Sequence, residues 1–148
     1  MKYNSLILVL CIGFIACSKG GDSPAPTPPP PVVVVEPSLT AAGAVVIDID
    51  PGTNNIYAVV GTSQRIEVKL AAIPVSGVTI DTKLIKVSDN TIAFATGPLS
   101  STSLTNPLTV TGLVPGVLYN LSVVVTSKTI PAPNPPNTKK VEFKMAAK

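Results

Sequence analysis

From about Ala44 onward, apolar and polar residues alternate with a period of two, and the alternation is broken by Gly, Pro, Asn and Asp at strand-like intervals. Successive side chains of a strand point to opposite faces, so this pattern predicts short half-buried strands joined by turns. Helical spacing is nowhere sustained. Val45, Ile47 and Ile49 alternate with Val46, Asp48 and Asp50 ahead of a Pro51-Gly52 turn, and Ile56–Val60 forms a second apolar run. One of these two is expected to be the first strand. Ile66, Val68 and Leu70 alternate with Arg65, Glu67 and Lys69, so this stretch should bury its aliphatic face and turn its charges to water. Val78 and Ile80 share one parity while Ile85 and Val87 fall on the other, which predicts a strand that either carries a bulge or is covered on both faces. Asp89-Asn90 marks a turn, Ile92 and Phe94 predict a short strand after it, and Leu108 and Val110 predict another beyond a Ser- and Thr-rich connection. Two further strands are clear: Tyr119, Leu121, Val123 and Val125 share one face, and Val141, Phe143 and Met145 alternate with Lys140, Glu142 and Lys144. The pattern predicts an all-β fold, a single antiparallel β-sandwich of about seven strands over residues 38–148.

Upstream the pattern changes twice. Pro24–Pro37 reads PAPTPPPPVVVVEP, where proline fixes φ and removes backbone donors, so the segment is expected to be an extended polyproline II linker. At about 3.1 Å per residue it would reach roughly 40 Å. The run Val32–Val35 would be an aggregation hazard if exposed, and is expected either to pair as an edge strand or to stay extended between its flanking prolines. At the start of the chain, Lys2 precedes an apolar stretch from Leu6 to Ala16 that is too short to span a bilayer and fits a cleavable export signal over residues 1–16. Phe14-Ile15-Ala16-Cys17 resembles the lipobox of bacterial lipoproteins, with a small residue before the cysteine; Cys11, preceded by the bulky Leu10, fits less well. The resemblance implies that Cys17 is joined by a thioether to diacylglycerol and becomes the first residue of a lipidated segment, 17–37. At about 0.8 kcal/mol per buried methylene, several acyl chains make detachment negligible, so the first partner implied is the membrane itself. Ser18–Asp22 is similar to the polar stretch that sends some lipoproteins to the outer face of the outer membrane, and reads equally as a simple tether.

Composition narrows the chemistry. With 45% hydrophobic, 13% charged and 4% aromatic residues in 148, the chain suits a Val-, Ile- and Thr-rich β protein better than a charged helical bundle. Net charge is +3, and loss of Lys2 with the leader leaves ten basic residues against eight acidic ones, too even a balance to argue for nucleic acid. Histidine and tryptophan are absent, and both cysteines lie in the first 17 residues. Zinc sites, thiol or imidazole nucleophile systems and Ser-His-Asp triads each need a side chain that the rest of the chain lacks, so no cofactor and no enzymatic activity are expected.

Leu113-Val114-Pro115-Gly116-Val117-Leu118-Tyr119 resembles the L-x-P-G-x-x-Y segment at the E–F corner of fibronectin type III domains. The resemblance implies a fibronectin III-like or immunoglobulin-like sandwich in which Leu113, Pro115, Gly116 and Tyr119 form a structural tyrosine corner, the phenol bonding a nearby backbone group.

The remaining candidates are few. Asp48, Asp50, Asn54 and Asn55 gather oxygen ligands near a turn, as calcium would want, but their spacing matches no loop motif and solvent-facing turn residues account for them. Glu67, Asp81, Asp89 and Glu142 read as strand-face or turn charges. Ser127–Asn137 is a long connection stiffened by four prolines, in which Lys128, Ile130, Asn134 and Asn137 are candidate contacts, although it lacks the aromatic anchors of most recognition loops. Tyr57 fits an exposed contact or a core ring equally. The expected protein is a non-catalytic lipoprotein displaying one interaction module at the outer membrane surface, toward an envelope protein or a glycan. The alternative is a structural or accessory subunit of an outer-membrane glycan-uptake or secretion assembly.

Overall fold

The alternating segments form eight strands in a computed structural model that describes residues 29, 35–49, 56–129 and 136–148. The leader, Cys17, Val32–Val34, Asp50, Asn54, Asn55, Ile130 and Asn134 lie outside the described residues. The chain divides into two units, residues 1–33 and 34–148, and every strand belongs to the second. In order they are β1 (Val45–Asp48), β2 (Ile56–Val59), β3 (Ser63–Leu70), β4 (Val78–Lys86), β5 (Ile92–Ser101), β6 (Thr105–Thr111), β7 (Leu118–Ser127) and β8 (Thr138–Ala147). They make two open sheets, β1-β3-β6 and β2-β8-β7-β4-β5, and no helix occurs among the described residues.

Both runs that competed for the first strand are strands, and they sit in different sheets, which raises the count from about seven to eight. β1 pairs antiparallel with β3, Val45 opposite Leu70, whereas β2 pairs parallel with β8, Ile56 opposite Lys144. The chain therefore changes sheet between Ile49 and Ile56.

The parity conflict in β4 also has a definite origin. Against β7 its register is unbroken from Val78 to Lys86, and Val78, Ile80, Thr82 and Leu84 all point into the core. The irregularities lie in its pairing with β5, between Ile80 and Thr82 and again between Leu84 and Ile85, and the additional residues fall on β5. Ile85 is half-buried on the outer face, and Val87, beyond the strand end, is exposed. β5 is ten residues long and runs through Gly97-Pro98, longer than its Ile92 and Phe94 signal implied. It is an edge strand, where proline removes no ladder bond that a neighbour needs; β6, with Pro107, is the edge of the other sheet.

One apolar cluster joins the inward faces of both sheets, an arrangement consistent with a β-sandwich. Ile66, Val68, Leu70 and Val110 contribute from the three-stranded sheet, and Ile80, Leu84, Tyr119, Leu121, Val123, Val125 and Met145 from the five-stranded one. Tyr57 packs against this cluster, half-buried. Thr82 and Thr96 face each other across β4 and β5, and neither hydroxyl has a hydrogen-bond partner among the described residues. On the solvent face of β3, Lys69 pairs with Asp48 and lies 3.9 Å from Glu67, and Arg65 lies 3.7 Å from Glu67.

Candidate functional site

The β6–β7 corner is built around one phenol. Alternation along β7 carries Tyr119 fully into the core, and its hydroxyl reaches back to the connection that precedes it. The Val114 N–H donates to that oxygen at 3.0 Å, and the hydroxyl donates to the Gly112 carbonyl at 3.4 Å. Leu113, between them, is buried and its N–H bonds the Thr62 carbonyl at 3.2 Å. Gly116 takes φ +77°, and its N–H bonds the Ala147 carbonyl at 3.1 Å, while Pro115 forms a bridge to Ala147. Leu113, Pro115, Gly116 and Tyr119 are thus drawn to one place. Gly112 is also required there: at φ +79° an added Cβ would stand 2.9 Å from the Ala93 carbonyl oxygen. The corner leaves Val114 half exposed beside the β2–β3 turn, where Val60 is 88% exposed.

The opposite pole holds a device the sequence did not announce. The Asn137 side chain accepts from the Leu39 N–H at 2.7 Å and donates to the Pro37 carbonyl at 2.9 Å. One amide thus imitates a strand partner for the chain on its way to β1. Leu39 is 1% exposed and belongs to the core cluster. The Glu36 carboxylate accepts from the Val75 N–H at 3.1 Å, in the β3–β4 connection. At the same pole the Ser127 N–H bonds the Asn137 carbonyl, the Lys128 N–H bonds the Gly77 carbonyl, and the Lys128 ammonium lies 3.4 Å from the Ser100 hydroxyl. Of the four candidate contacts in the β7–β8 connection, Asn137 is committed to the chain's own backbone, Lys128 is at the base of the connection, and Ile130 and Asn134 lie outside the described residues.

Asp48 is paired with Lys69, and this hydrogen bond, with the charge behind it, holds the Lys69 ammonium above its ordinary pKa. Asp50, Asn54 and Asn55 lie outside the described residues, so the oxygen-rich turn is not brought together here. Asp89 accepts from the Thr91 hydroxyl at 2.6 Å and from the Thr91 N–H at 2.9 Å, and these two bonds hold its carboxyl below the ordinary range. Asn90 completes that turn at φ +58°. Asp81, Lys83, Lys140 and Glu142 line the outer face of the five-stranded sheet with Ile85, Ser122 and Val124, and Lys140 pairs with Glu142 at 2.7 Å. Comparison with protein-family models, curated proteins and solved structures finds no match.

Proposed function

We propose that the chain is a non-catalytic lipoprotein that holds one fibronectin III-like or immunoglobulin-like sandwich at the cell envelope surface, tethered through acyl chains on Cys17. Support for the sandwich type comes from the Tyr119 hydroxyl bonded within Gly112–Val114, as a tyrosine corner requires, and from the split of β1 and β2 between two sheets. Support for the tether comes from the Leu6–Ala16 apolar stretch ahead of Cys17 and the Pro-rich linker after it.

The observation that carries the reading is the grip of Asn137 on Pro37 and Leu39. The residues leading into the β unit are thereby tied to its Asn137 pole. Val60 and Val114, exposed at the Tyr119 pole, are the apolar contacts offered to a partner. The partner met there is an envelope protein or a glycan.

Labelling growing cells with an alkyne fatty acid tests the tether. Full-length chain should take up the label and resist carbonate extraction, and Cys17→Ser should lose both properties. Unmodified thiol at Cys17, or an intact leader in purified material, would overturn it. Protease shaving of intact cells, followed by capture of the acylated protein with its neighbours, tests surface display: full protection from protease would overturn that half.

A further inference from the structure

The outward face of the five-stranded sheet carries a recess of about 630 Å³, and the register of three strands accounts for its shape. β7 lies between β4 and β8, with ladder partners on both sides. Asp81, Val124 and Lys140 form one row across these strands, and Lys83, Ser122 and Glu142 form the next. Residues directly opposite one another share a face, so each row sets a short side chain between two long ones. The result is a trough along β7, floored by Ser122 and Val124 with Ile85 beside them, and walled on either side by an acid and a lysine. Ser122 shows its depth: it stands on the outward parity of β7, yet it is only 8% exposed. The residue lines the recess, and its hydroxyl forms no hydrogen bond among the described residues.

The polar groups of the trough also keep capacity to spare. On the outward face of the three-stranded sheet, Asp48, Arg65, Glu67 and Lys69 each meet an opposite charge. In the trough, Asp81 and Lys83 enter no ion pair among the described residues. Lys140 and Glu142 are paired, but the Lys140 ammonium and the Asn120 amide both reach Oε1 of Glu142, so Oε2 keeps its full capacity as an acceptor.

We infer that this trough binds an uncharged oligosaccharide. The inference rests on the proposed reading of a displayed interaction module, and it places the glycan on the sheet face. Charge is the first argument. Two acids and two lysines cancel, and like charges stand diagonally across the trough, so an ion entering it meets both signs. A sugar hydroxyl donates and accepts, so it can use a carboxylate and an ammonium on the same wall, and the Ser122 hydroxyl is a further partner at the floor. Shape is the second. Val124 and Ile85 offer apolar surface to the C–H face of a sugar ring, and the volume lies in the range of small-ligand sites. The other polymers fit less well: a nucleic acid would need net positive charge, and an added peptide strand would need an open ladder edge, which β7 lacks.

Full-length chain in a polyoxyethylene detergent, which carries no sugar, tests this on a printed array of neutral and acidic oligosaccharides. Neutral oligosaccharides should be retained, and the one held best should move the methyl resonances of Ile85 and Val124 while those of Val60 and Val114 stay in place. Asp81→Asn with Lys83→Gln strips one wall of its charges and should weaken binding at least about tenfold, the equivalent of one charge-assisted hydrogen bond, at an unchanged melting temperature. Arg65→Gln with Glu67→Gln makes the same change of charge on the other sheet and should leave binding as it was. The inference is overturned if no neutral oligosaccharide is retained, if acidic ones alone are, if the methyl shifts fall at Val60 and Val114 instead, or if the two double variants have equal effects. Shifts at the pole alone would leave the proposed function standing. Loss of acylation or of protease access would defeat that function without touching the sugar response, so the two failures read apart.

Discussion

Tyr119 and Asn137 do comparable work at opposite poles of the same β unit, and they do it over very different distances along the chain. Tyr119 binds backbone groups five and seven residues upstream of itself. Asn137 binds backbone groups 98 and 100 residues away. Each side chain spans a donor and an acceptor and fixes the path of a connection that would otherwise carry unpaired amides. The first is a local motif, written in seven consecutive letters. The second exists only after folding has brought the N-terminal approach to β1 against the start of β8. A local constraint can be read from sequence, and a distant one of the same strength cannot.

The comparison breaks most clearly at Leu39. If the segment before β1 is part of the fold, Leu39→Ala should cost about 2–5 kcal/mol, as large-to-small changes at buried leucines do. A cost under about 0.5 kcal/mol in denaturant titration, the range of a surface change, would make it linker. Tyr119→Phe sharpens the other side. It keeps the ring and strands the Val114 N–H and Gly112 carbonyl, for an expected loss of about 1–3 kcal/mol, with most of the ring packing retained. Asn137→Ala should fall near the same value, and because the two sites share no partner the double variant should be additive within about 0.5 kcal/mol.

Between the poles, Thr82 offers a change of opposite sign. Its hydroxyl is buried and has no partner among the described residues, so Thr82→Val should leave stability unchanged or raise it by about 1 kcal/mol. A clear loss would mean that the hydroxyl is bonded in solution. The smallest effect belongs to Asp89. Its carboxyl titrates below the ordinary 3.8 in the folded chain, so the unfolded chain binds the proton first as pH falls. The turn's contribution is complete above the ordinary value and is lost as pH drops through it toward the folded one. Asp89→Asn should therefore melt slightly lower than wild type at neutral pH and match it in strong acid. A gap that persists in acid would assign the turn to something other than charge.

Much of the sheet architecture was legible because burial and alternation coincide. Ile66, Val68 and Leu70, and Tyr119, Leu121, Val123 and Val125, lie inward as their period demands. The first strand was not, because two adjacent apolar runs compete for one role when a single sheet edge is assumed, and the fold gives each run its own sheet. β4 resisted for a similar reason: the conflict in its parity was resolved by extra residues on β5, and no inspection of β4 alone contains that. Among the candidate contacts, Asn137 looked like a loop residue because it comes after a Pro-Pro pair, yet its amide is spent inside the molecule. Asn106 passed unremarked in a strand of alternating polarity. It is 5% exposed and inward, with its amide donating to the Ser103 carbonyl at 2.9 Å and the Ser101 hydroxyl donating to its oxygen. A single inward asparagine among Leu108 and Val110 is a polar exception that only the turn's geometry explains.

The parallel pairing of β2 with β8 carries a consequence for the order of assembly. As the chain is made, β2 emerges long before the strand it must lie against, and Asn137, which steadies the approach to β1, belongs to the same late stretch. Two early segments thus wait on one late hairpin arm. Contacts so distant along the chain close slowly, on the order of milliseconds to seconds for sandwiches of this kind. Through that interval, β-branched runs from the first half are uncovered and open to whatever chaperone or neighbour meets them first.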